Sequence, residues 1–199
     1  MGAPHEPEFQ TRVLTTGLNL LNSDAGSPLI VDFPDDAPVA ATQRDENDVW
    51  VCPVSFPAPP EQGSETQKAL LAEISTLAPW YDVAVKNNGR TTFGLSGLGV
   101  EEAARFLIAV SEGSTDNPIA KMTFAEAIKR SVEDIKAFYL EAIAAQPSGA
   151  TSQDLYGWLW RETTAGNLFR QLQPVCADSD DPQMQYLATR SLIPRPAYR

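Results

Sequence analysis

A single histidine, His5, serves 199 residues, and it stands between Pro4 and Pro7 in a stretch without apolar periodicity. Ser-His-Asp and Cys-His catalysis and histidine-rich metal sites all need an imidazole held by a fold. Any catalysis therefore falls to carboxylates, Tyr, Lys, Arg or a thiol. Cysteine is nearly as scarce. Cys52 and Cys176 lie far apart without C-x-x-C or other metal-ligand spacing, and they read as packed thiols. No metal and no cofactor is expected.

Positive charge is also short, with 15 Lys and Arg against 26 Asp and Glu, a net charge of -11. Such a surface repels phosphate backbones and anionic lipid, which argues against nucleic acid as a partner. No apolar window approaches the length of a membrane span. The N-terminal MGAPHEPEFQ has neither the basic nor the apolar region of a signal peptide, so the expectation is a soluble cytoplasmic protein.

What the chain does hold is 43% hydrophobic residues, enough for one sizeable core. FQTRVLTTGLNLLN, residues 9–22, has helical spacing of Phe9, Val13, Gly17, Leu20 and Leu21. PLIVDF (28–33) and VWVCPVSF (49–56) are apolar, β-branched runs and read as strands, the second weakened by Pro53. Residues 65–77 form a helix that should stop at Pro79. WYDVAVKNNGRTTFGLSGL, residues 80–98, alternates Tyr81, Val83 and Val85, turns at Asn88-Gly89 and returns, which predicts a β-hairpin.

Helices then follow over 100–112, closed by Gly113, and over 124–145. The second starts with a Thr123-x-x-Glu126 capping box and carries Glu126/Arg130 and Lys129/Glu133 pairs one turn apart. Another helix should be capped by Thr151 or Ser152. A loop is expected over 174–181, and a last helix over 182–192 starts from the Asp181-Pro182 cap. The order predicts an α+β fold, a small antiparallel sheet of about four strands packed with helices, and a helical C-terminal part. Its organisation would be a flexible tail (1–8), a single domain (9–193, mixed over 9–113 and helical over 123–193) and a second tail (194–199).

Motifs that promise chemistry dissolve on inspection. GLSGLG, residues 94–99, resembles a phosphate loop, yet it lacks a third glycine at the required position, and Glu101 and Glu102 already occupy the helix start. It also fails as a nucleophile elbow, because Leu98 replaces the last glycine and no histidine is there to activate Ser96. Asp178, Asp180 and Asp181 miss calcium-loop spacing, with Gln183 and Thr189 at the glycine and glutamate positions. Asp45, Glu46 and Asp48 read as a solvated turn, and Arg190, Arg195 and Arg199 as a basic tail.

The distinctive stretch is DLYGWLWRETTAGNLFRQLQ, residues 154–173. At about 100° per residue, Leu155, Trp158, Leu159, Phe169 and Leu172 share a core face. Tyr156 and Trp160 fall one turn apart on a second, mixed face, unless Gly166 breaks the helix and scrambles the register. Tyr and Trp of that kind suit an interface or a pocket wall, or else another element covers them.

These features favour a non-catalytic protein-binding or accessory module, adaptor-like, immunity-like or chaperone-like, with a protein partner or self-association. The alternative is a cofactor-independent enzyme or small-molecule binder with a pocket lined by Trp80, Tyr81, Tyr156 and Trp160. Tyr139, Arg161 or Glu162 would then move protons or stabilise charge.

Overall fold

The structure, a computed structural model, describes residues 7–23, 29–35, 52, 54, 56–57, 64–147 and 150–194. His5, the polar turn at 43–48 and the C-terminal Arg195 and Arg199 lie outside them. The described residues form seven α-helices and no strand, so the expected α+β fold is replaced by an all-helical one. None of these helices is long and apolar enough to cross a membrane.

Contacts divide the chain into two units, Met1–Val49 and Trp50–Arg199. In the first, α1 (Pro7–Asn19) continues into a 3₁₀ turn, Leu20–Asn22. Phe9 is buried edge-on against Phe33, with ring centroids 5.7 Å apart, and Arg12 pairs with Asp35 at 2.9 Å. The first expected strand is described from Leu29 onward and is not one. Of the second, only Cys52, Val54 and Phe56 are described, and none is in a strand.

The second unit holds α2 (Ser64–Asn88), α3 (Val100–Ser111), α4 (Phe124–Ala144), α5 (Ser152–Glu162), α6 (Thr164–Ala177) and α7 (Pro182–Tyr186). A π turn over Leu187–Ser191 follows α7. α2 runs straight through Pro79 and takes up the residues assigned to the hairpin. The reason is burial. Leu70, Ile74, Leu77, Tyr81 and Ala84 keep helical spacing across the proline and face the core, whereas Val83, on the supposed strand face, is exposed. Packing along a helical stripe outweighs the weak β preference of Tyr and Val.

Asn88-Gly89 keeps its left-handed glycine in a different role. Gly89 has φ +64° and donates its N–H to Val85 O, ending the helix instead of turning a hairpin. The residues after it are pinned to α4 by side chains. The Asp134 carboxylate accepts from the N–H groups of Gly94 and Leu95 at 2.8 Å, from Ser96 N–H at 2.9 Å and from the Ser96 hydroxyl at 2.5 Å. Two helical turns on, Glu141 accepts from the Thr91 hydroxyl (2.7 Å) and from the Thr92 N–H (2.8 Å) and hydroxyl (2.7 Å). The loop that resembled a phosphate cradle thus wraps an anion belonging to its own chain.

α3 and α4 match expectation closely, but the capping box is half formed. Thr123 accepts from Glu126 N–H at 3.2 Å, while the Glu126 carboxylate pairs with Arg130 at 2.5 Å instead of turning back. The expected single helix over the aromatic stretch is two. Thr163 is extended at φ -114°, donates its hydroxyl to Leu159 O at 2.7 Å and accepts from Gly166 N–H at 3.0 Å, closing α5 and capping α6. α6 then extends through Pro174, where a loop was expected.

The α5–α6 break rests on a buried carboxylate from α2. Glu73, 3% exposed, accepts from Thr164 N–H (2.8 Å) and hydroxyl (2.6 Å) and from the buried Tyr139 hydroxyl (2.8 Å). It serves the orphan amide at the start of α6, where a negative charge is also favoured by the helix dipole.

Candidate functional site

The break at Thr163 redistributes the aromatics. Trp158 and Phe169 are buried, as their helical position predicts. Trp160 is also buried, at 2% exposure, against Phe169 with centroids 5.7 Å apart. Lys136 Nζ lies 5.5 Å from its ring centroid and Arg170 Cζ 5.9 Å, so two cations flank one indole. Burial lowers the pKa of Lys136 even though Glu133 at 3.1 Å holds it charged. Arg170 also donates to the Trp160 carbonyl.

Tyr156 stays half-buried, its ring 6.1 Å from that of Trp160, and burial raises its phenol above the ordinary value. It lines a groove of about 640 Å³ where the C-terminal ends of α2 and α4 meet the start of α5. The groove exists because Ala84, Ala144 and Ala145 are small. Leu140 and Leu155 add apolar wall, and Asn87, Asn88 and Ser152 add polar groups.

Among the described residues lining it, Glu141 is the one formally charged side chain. Burial pushes its carboxyl up, but the bonds from Thr91 and Thr92, with Arg90 nearby, outweigh this and hold it below the ordinary carboxylate range. Tyr81 joins the same network. Its hydroxyl lies 2.9 Å from Thr91 Oγ1, and its ring packs 4.8 Å from Phe138.

Of the residues singled out by sequence, Tyr156 lines the same groove as Glu141, and Tyr81 braces Thr91, which donates to Glu141. Trp80 is half-buried against the core and not among the groove residues. Arg161 folds its guanidinium over Gly157, and Glu162 is exposed, its charge helping burial to raise the Cys52 thiol. Glu141 and the alanines escaped sequence reasoning. The signal was LEAIAA at the end of α4, where large residues give way to small ones.

Two other hollows, about 480 Å³ beside Phe106 and Pro118 and about 660 Å³ beside Thr66 and Pro174, contain none of the expected residues. Among the described residues, no group of three His, Cys, Asp or Glu is placed to hold a metal ion. Compared with known protein families, curated proteins and solved structures, the chain matches none.

Proposed function

We propose that the chain is a non-catalytic helical binding module of the cytoplasm that receives an apolar segment of a protein partner between α2, α4 and α5. The observation carrying this reading is the groove itself, about 640 Å³, walled by Ala84, Leu140, Ala144 and Leu155 and edged by amides and hydroxyls. Apolar walls with a few polar groups at the edge are what a side-chain-bearing helix or strand segment needs. Its carboxylate, Glu141, is already bonded to Thr91 and Thr92. The net charge of -11 turns the module away from nucleic acid and toward neutral or basic proteins.

An adaptor, a neutralising or a chaperone-like role is compatible with this site, and the aromatic-pocket alternative draws less support because Trp160 is packed inside the unit. The test is peptide display against the wild type, with counter-selection on Ala144→Trp, which fills the groove from an exposed position. Enrichment of apolar peptides that lose at least about tenfold in affinity on the variant supports the reading. Enriched peptides that bind both proteins alike would overturn it.

A further inference from the structure

We infer that the segment received by the groove carries a basic side chain, Lys or Arg, set against the paired C-terminal ends of α2 and α4. This rests on the binding reading above and specifies its partner. The groove is lined by Asn87 and Asn88, the last two residues of α2, and by Ala144 and Ala145, the last residue and C-cap of α4. The final carbonyls of a helix lack intrahelical donors and carry its negative dipole end, so two such ends converge here.

Glu141 adds a full negative charge from the same helix end, and among the described residues no Lys or Arg lines the groove. Lys86 and Arg90 stand near the end of α2, but neither is among the lining residues. The opposing positive end is that of α5 at Ser152. It is already answered, because the Asp154 carboxylate accepts from the Thr151 N–H at 2.8 Å and hydroxyl at 2.7 Å in the first turn. What remains is an apolar hollow with a negative floor and the Tyr156 ring at its side. An ammonium or guanidinium on an apolar stem fits this combination, through charge and through the aromatic face.

Three fluorescein-labelled amphipathic peptides with one shared Leu face, differing only in a single flanking Arg, Gln or Glu, test this by anisotropy. The expected order is Arg, then Gln, then Glu, with Arg about tenfold tighter than Gln at low salt and the gap shrinking as salt rises. Ala144→Arg, which puts a cation into the groove, should erase the preference. Asp180→Asn changes the net charge equally but lies in the connection whose next helix bonds the N-cap of α4 through Gln183 and Thr123. α4 has 21 residues, so that end is about 30 Å from the groove, and the preference should survive there.

Equal binding of the Arg and Gln peptides, with both weakened by Ala144→Trp, would overturn the basic-partner inference and leave the binding reading standing. A preference lost equally in Asp180→Asn would assign it to the whole acidic surface and likewise overturn the inference. Failure of all three peptides to bind would count against both.

Discussion

Replacing Glu73 by alanine strips the acceptor from three buried donors at once, the Tyr139 hydroxyl and the Thr164 N–H and hydroxyl. A buried donor left without a partner costs roughly 1–3 kcal/mol, so three at the low end lose at least about 3 kcal/mol, offset in part because an unfavourably buried carboxylate leaves with them. A net destabilisation of about 2–4 kcal/mol is expected. Glutamine keeps the oxygen that accepts from Thr164 but turns an amide toward the Tyr139 oxygen, leaving only the phenol proton without an acceptor, and should cost about 1–2 kcal/mol near pH 5.

The pH dependence gives the sharper reading. Burial outweighs the bonds from Thr164 and Tyr139 and raises the Glu73 carboxyl above its ordinary 4.5. The folded state therefore binds this proton more tightly than the unfolded state, and this contribution, full below about 4.5, is lost as pH climbs through the folded value. Glu73→Gln does not titrate, so its stability relative to wild type should rise as pH climbs above about 4.5 toward neutrality. Urea unfolding followed by tryptophan fluorescence reads both effects, since the Trp158 ring lies tilted 6.1 Å from that of Tyr139. Equal losses for the alanine and glutamine variants, or a gap between wild type and Glu73→Gln that ignores pH, would show that Glu73 is not a buried acceptor with a raised pKa.

Gly166→Ala should destabilise the second unit by about 1–3 kcal/mol, because the new Cβ would sit 3.0 Å from Trp160 Cα and closer still to Leu159 O. Gly17→Ala in α1 meets nothing within 4 Å and should gain up to about 1 kcal/mol of helix stability, so thermal melts and helicity should move in opposite directions for the two. Asp134→Ala should release the amides of Gly94, Leu95 and Ser96, seen as faster hydrogen exchange confined first to that segment. The Cys176 thiol is buried and pushed up to about 11, so at about pH 8 a disulfide reagent should modify it only on unfolding.

α3 and α4 were legible in the sequence because their apolar stripes and caps agree with their burial. The hairpin over 80–98 was misread because period-two alternation in a short window cannot be told from a helix whose stripe began ten residues earlier, at Leu70. Pro79 reinforced the error, since a proline inside a helix is disfavoured in general but tolerated where packing on both sides holds the stripe in place. Asn88-Gly89 pointed to positive φ, which Gly89 has, but the resemblance of GLSGLG to an anion cradle is set aside on sequence grounds alone. That this loop wraps the carboxylate of Asp134, 38 positions past Ser96, is tertiary information no local pattern contains.

The candidate site was half legible. Tyr156 stood out as an aromatic with no place on the core face, and it does line the groove. Trp160 shared its helical angle, but α6 starts anew at Thr163 and covers the indole with Phe169 and Arg170, while Lys136 of α4 flanks it. The groove itself is defined by small side chains, and an alanine gives no sequence signal until the neighbouring helices are known.

Site-specific photo-crosslinking in the native host decides whether the groove between α2, α4 and α5 receives a partner. A photoreactive residue at exposed Ala144 should yield a discrete adduct with one protein, suppressed by an apolar peptide carrying Arg, while the same group at Asp180 should not form it. Identical adducts from both positions, or an adduct at Ala144 that the peptide leaves untouched, would show that the groove receives none.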